Sequence, residues 1–220
     1  MIETHVVNAV LAAPLKDQLP FKVLTFVNGL VAPSFLFCAG FGLAISLRRR
    51  WPQFMKFERP FWRFVVRMLF IGVVAYSLHL PFFSLGRMES ITDDRLWVSF
   101  FQVDILQVNA VTLLVLILLA TLIRNQSAFQ LVASAIALAV VFAAPVIRAM
   151  DLSGLPIWLR PYLSIQFKSQ FPLLPWAAFL ICGTILGFRF VEAAEKKQDE
   201  ACIRWFGILA LAGILLSLAA

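Results

Sequence analysis

The sequence predicts an all-α protein, a polytopic transmembrane helix bundle of about seven helices with the first one incomplete. Three observations carry that reading. Of the 220 residues, 61% are hydrophobic and only 14% charged, and the mean hydropathy is +0.89, too apolar for a water-soluble domain of this length. Apolar runs of about 18 to 22 residues recur along the chain, and about 20 are needed for a helix to cross roughly 30 Å of hydrocarbon. The basic residues gather in short segments between these runs. Twelve of the 19 Lys and Arg fall in segments expected inside and seven in segments expected outside, as the orientation rule for short loops requires. The net charge of +7 and pI near 9.8 therefore report orientation in a lipid bilayer, and nucleic acid is excluded as the expected partner.

The first segment, MIETHVVNAVLAA, gives 13 residues before Pro14, about 20 Å of helix, which is too short to cross. Glu3 and a free amino terminus would sit at depth, where an unpaired charge is costly. The expectation is that half of this helix is missing, through truncation or a misassigned start. His5 then lies about 12 Å below the helix exit, with Asn8 on the same face. An outer loop is expected at 14–22. The second helix, 26–47, is uncharged and is stopped by Arg48, Arg49 and Arg50. Gly40 with Ala44 and Gly42 with Ser46 place small residues four apart, which lets a neighbouring helix approach the backbone.

Beyond it, Lys56, Arg59, Arg63 and Arg67 extend the basic run, and Trp51, Phe54, Phe57, Phe61 and Trp62 suit an interfacial segment with aromatic anchors. A third helix is expected over 63–83. The fourth, 103–123, is polar at its outer end (Asp104, Gln107, Asn109), and Arg124 with Asn125 makes a tight turn. The fifth covers 129–147. An outer loop then runs to Phe171, with Pro156, Trp158 and Pro161 suggesting a structured lid or a re-entrant piece. Gly183 and Gly187 in the sixth helix, 172–190, repeat the close-packing spacing. A charged loop leads to the seventh, 203–220. Cys38, Cys182 and Cys202 show no metal-ligand spacing and are expected to be reduced packing residues.

Chemistry, on this layout, lies at the outer end. His5, Asn28, His79, Asp104 and Gln107 come from four helices, and ionisable groups at membrane depth are functional candidates because they are expensive to keep there. His5 is the candidate general base and Asp104 the carboxylate that orients it. Asn28, His79 and Gln107 are candidate substrate-binding residues; the alternative is that Asn28 and Gln107 hydrogen-bond neighbouring helices and His79 sits among headgroups. No nucleophile elbow, phosphate loop or zinc motif occurs, and no metal is expected.

The pieces MIETH at 1–5, APSFLFCAGFGLAISLRRR at 32–50, DILQ at 104–107 and FPLLPWAAFLICGTILG at 171–187 together resemble the heparan-alpha-glucosaminide N-acetyltransferase catalytic domain family and its bacterial relatives. The Arg-Gly that precedes the family's first-helix histidine is absent here. The resemblance implies one transmembrane acyltransferase-like domain over 1–220, in a bacterial inner membrane. It further implies transfer of an acetyl group from cytosolic acetyl-CoA to an amino sugar or other glycan on the far side, with His5 matching the central histidine. It also gives Arg48, Arg49 and Arg50 a second meaning, as ligands for the donor's phosphates, beside their role in orientation. A homo-oligomer is compatible with the small-residue faces. A transporter-like or scaffolding protein is the other class, though the chain shows neither an internal repeat nor paired broken helices. Reporters fused after Arg50 or Lys197 should be cytoplasmic, and reporters near Glu89 or Ser164 external; outside labelling of a cysteine at 197 but not at 89 would overturn the layout.

Overall fold

In hydrocarbon a backbone N–H or C=O has no water to turn to, so an apolar run closes its hydrogen bonds internally as a helix. The computed structural model, which describes residues 6–7, 9–84, 86, 88, 91–92 and 94–219, is helical with no strand among those residues. The long helices are α1 (Leu19–Gly29), α2 (Val31–Arg49), α3 (Arg59–Ser77), α4 (Ile105–Ile123), α5 (Gln126–Ala149), α6 (Leu173–Glu195) and α7 (Asp199–Ala219). Five stretches are long and apolar enough to cross a membrane: α1 with α2 as one 31-residue length, then α3, α4, α5 and α6. The chain is an α-helical membrane bundle.

Local chemistry sets the boundaries and corrects several expectations. Residues 14–22 are largely helical (Ala13–Lys16, then α1), because Pro14 and Pro20 occupy first turns, where the missing N–H costs nothing. Pro60 does the same for α3, which begins at Arg59 and stops at Ser77, short of the 3-10 turn at Pro81–Phe83. Arg124 takes the left-handed conformation (φ 57°) and closes α4, and the Asn125 side chain accepts from the Ala128 N–H at 2.9 Å to open α5. The segment between the expected third and fourth helices, read from sequence as an outer loop of mixed charge, contains a helix at Asp94–Phe100. Cys38 and Cys182 are exposed rather than packed inside.

The core is organised by α2 against α6. A Cβ on Gly40 would fall on the Leu180 carbonyl, and one on Gly183 on the Phe37 carbonyl; at Gly187 it would lie 2.7 Å from the Ala44 Cβ. Residue numbers rise together along the contact, so the two helices run parallel. Hydrocarbon supplies no hydrophobic drive between helices, and van der Waals contact of bare backbone takes its place. The second small-residue pair behaves otherwise: Gly42 has open space where a Cβ would stand.

At the end of the bundle marked by Arg48, the helix Trp51–Met55 turns the chain inward. Trp51, Phe54 and Phe61 are buried there, with Trp51 tilted against Phe129 and edge-on to Phe188 at ring distances of 6.0 and 6.1 Å. They are core residues rather than headgroup anchors; Phe57 and Trp62 are exposed. The indole N–H donates to the Arg124 carbonyl at 3.3 Å, tying this turn to the end of α4. Gly40→Leu or Gly183→Leu should cost about 3 kcal/mol or abolish folding, because backbone rather than a side chain stands in the way. Gly42→Leu should be silent; unfolding by denaturant in mixed micelles reads the difference.

Candidate functional site

Three polar side chains meet at the end of the bundle opposite Arg48. α3 ends at Ser77, and two residues later the His79 Nδ1 faces the Ala75 carbonyl at 3.0 Å. Asp104 is the extended N-cap of α4, with φ −112° and ψ −178°, and the Gln107 side chain reaches back to accept from its N–H at 3.1 Å in a capping-box arrangement. The preceding residue is stapled to the covering loop: the Val103 N–H donates to the Ser169 Oγ at 2.9 Å, and the Phe171 N–H donates to the Val103 carbonyl at 3.3 Å. So fixed, Asp104 places Oδ2 at 2.8 Å from the His79 Nε2. The Gln107 Nε2 lies 3.4 Å from the His79 Nδ1.

This geometry dictates a division of labour. Nε2 must carry a proton to bond the carboxylate, which leaves Nδ1 as the nitrogen able to work. Nδ1 faces a carbonyl and an amide NH2 together. Protonated, it donates to the Ala75 oxygen; deprotonated, it accepts from Gln107, so the ring finds a partner in either state. At 3.4 Å the Gln107 contact is the looser one and the easier to replace. Gln107 is fully buried; the Asp104 side chain is 31% exposed, but its Oδ1 is buried with no hydrogen-bond partner among the described residues.

The structure brings together His79, Asp104 and Gln107 and does not join Asn28 to them. Asn28 is half-buried in α1, with no side-chain hydrogen bond among the described residues. His5 and its neighbour Asn8 lie outside the described residues, and Asp104, expected to orient His5, is held by His79. Covering this end is the structured loop foreseen around Pro161, which is buried, although Trp158 is exposed. Its Tyr162 hydroxyl pairs with that of Tyr76 at 2.7 Å. Burial, reinforced by this partner, pushes the Tyr162 phenol well above the usual tyrosine range.

The arginine triplet divides three ways. Arg48 is committed within the fold, donating to Glu195 at 3.2 and 2.7 Å and to the Gln126 Oε1 at 3.1 Å. Arg49 is exposed. Arg50 turns into a concavity of about 340 Å³, shared with Ser46, Phe54, Arg63 and Arg67. Among the described residues none of these three arginines has an acidic partner. Arg63 and Arg67 were legible in the sequence only as part of a basic run; their one-turn spacing on α3 is the signal that could have singled them out. Among the described residues no cluster of three or more His, Cys, Asp or Glu could hold a metal ion. A double-mutant cycle of Arg48→Gln with Glu195→Gln should show a small coupling that fades as salt is raised, whereas Arg50→Gln should leave stability within about 0.5 kcal/mol of the parent.

A second space, of about 540 Å³, lies between α3 and α4 and includes Gln107, Tyr76 and Tyr162 in its wall. With these features placed, comparison with known proteins becomes informative. No curated protein and no solved structure matches the chain. The family described as heparan-alpha-glucosaminide N-acetyltransferase, catalytic, matches over residues 1–218. Members of that family use acetyl-CoA as donor. A match of that extent makes this chain a member of the heparan-alpha-glucosaminide N-acetyltransferase catalytic family.

Proposed function

We propose that the chain is an integral membrane acyltransferase, moving an acetyl group from acetyl-CoA at the Arg50 end of the bundle to an amino-sugar or other glycan acceptor at the His79 end. Basic loops favour the inner face, so the Arg50 end is the cytoplasmic one, in a bacterial inner membrane. The single observation that carries the reading is the His79–Asp104 pair at 2.8 Å with Gln107 behind it, an imidazole oriented by a carboxylate in a mostly dry setting. That is the equipment of general acid–base catalysis.

In the reaction the acceptor nitrogen or oxygen attacks the thioester carbonyl and gives its proton to the imidazole as the new bond forms. The carbon–sulfur bond then breaks, and the departing thiolate takes a proton, leaving an amide or ester and free CoA thiol. Asp104 steadies the imidazolium that forms in between, and Gln107 positions the ring. Where the acetyl group passes first to His5, the candidate carrier by its place in the family motif, the CoA thiol leaves at that step and the acceptor then attacks the acyl-imidazole in place of the thioester, freeing the His5 ring. The donor's phosphates fit the guanidinium groups of Arg50, Arg63 and Arg67, which have no acidic partner among the described residues and can bind phosphate in bidentate fashion. From Arg63 to Ser77, α3 rises about 21 Å, an interval suited to a long, flexible pantetheine arm.

His79→Ala should lower transfer from labelled acetyl-CoA by about 100-fold or more with the protein still inserted, and Asp104→Asn by less. Gln in place of Arg50, Arg63 and Arg67 together should raise the donor KM and leave kcat nearly unchanged. Full turnover in both His79→Ala and His5→Ala would sink the acyltransfer reading and favour a transporter-like role for the polar cluster.

A further inference from the structure

The space between α3 and α4 is built for hydrocarbon, although it adjoins the site proposed for a sugar. Its wall includes Leu69, Gly72, Val73, Val111 and Leu114, and every polar side chain in it is already engaged. The Ser77 hydroxyl donates to the Val73 carbonyl at 2.7 Å, the Tyr76 and Tyr162 hydroxyls satisfy each other, and Gln107 is held by Asp104 and His79. A glycan placed here would lose its water and gain little in return, because each of its hydroxyls would be left without a partner. An acetyl group is far too small for about 540 Å³, a volume in the range that holds whole drug-sized ligands.

The position of the space selects its occupant. It flanks the second half of α3 and the first half of α4, at membrane depth, and Leu69 and Val73 in its wall are exposed, so it opens sideways to lipid. At 100° per residue Gly72 stands about 180° around α3 from Arg63 and about 140° from Arg67. The space therefore lies on the face opposite the arginines proposed for the donor. Its upper end, through Gln107, is the His79 site.

We infer that this cavity holds the hydrocarbon chain of a lipid-linked acceptor, whose amine or hydroxyl head then lies at His79. The inference rests on the acyltransfer reading for the identity of the head group, and its test does not depend on turnover. The probe is a dodecyl glucosaminide carrying a diazirine in the alkyl chain, photolysed with the full chain in lipid nanodiscs, with the labelled peptides mapped by mass spectrometry. Labelling should saturate and map to 68–80 and 107–114. Gly72→Phe should reduce it by about tenfold, equivalent to 1.4 kcal/mol; Gly72 has open space around its Cβ direction, so the substitution fills the cavity without displacing backbone. Gly72→Ala should keep the labelling, and so should His79→Ala, which separates chain binding from chemistry. Labelling that never saturates, or that falls equally on the exposed Leu131 and Leu138 of α5, would show bulk lipid and overturn the inference. Stronger displacement by dodecanoyl-CoA than by unlabelled dodecyl glucosaminide would assign the cavity to the donor and overturn it equally.

Discussion

The contact of α2 with α6 is the constraint on which the other helices depend. Where Gly40 and Gly183 meet carbonyls of the facing helix, two backbones touch without side chains between them, and the register is set to within a residue because any other leaves a Cβ in the way. Once that pair is fixed, Arg48 reaches Glu195 and Gln126 at one end. The Trp51–Met55 turn then buries its aromatics against Phe129 and Phe188. α4 and α5 pack around this pair, and α3 leans on α4. The consequence for function is indirect: α4 carries Asp104 and Gln107, so its seating determines where the carboxylate points.

The polar site uses helix ends rather than helix middles. His79 follows the last turn of α3, and Asp104 precedes the first turn of α4, where backbone groups lack intrahelical partners and side chains must supply them. One residue set thus does two tasks. Gln107 caps α4 and steadies His79; Asp104 opens α4 and bonds the imidazole. The geometry of the His79–Asp104 pair is therefore as rigid as the helix terminus that carries it.

Much of the fold was legible in the sequence, because apolar length and small-residue spacing are local signals. The six helices from the second onward are each present, and Gly40, Ala44, Gly183 and Gly187 do serve the close contact. What was not legible was tertiary. Nothing local distinguishes Gly40 from Gly42, which differ only in the face that meets α6. Trp51 and Phe54 have the composition of interfacial anchors, and only the turn that folds them inward makes them core. For the site, His79, Asp104 and Gln107 were each singled out, yet the pairing of Asp104 with His79 spans 25 residues and a loop, which periodicity does not reach. Arg48 and Arg50, two apart, look alike in sequence; the helix end sends one to Glu195 and the other to the concavity.

The parallel pairing of α2 and α6 also bears on how the chain is made. Their contacting residues are separated by 140 positions or more, from Gly40 and Leu180 to the Arg48–Glu195 pair with a separation of 147. At synthesis rates of roughly 5 to 20 residues per second, α2 waits about 7 to 30 s in the membrane before its partner emerges. During that interval its glycine-lined face has only lipid, or the wrong helix, to pack against. A nascent bundle of this design gains from anything that shields that face until α6 arrives, because the groove behind the closest backbone contact of the finished protein spends that interval without its partner.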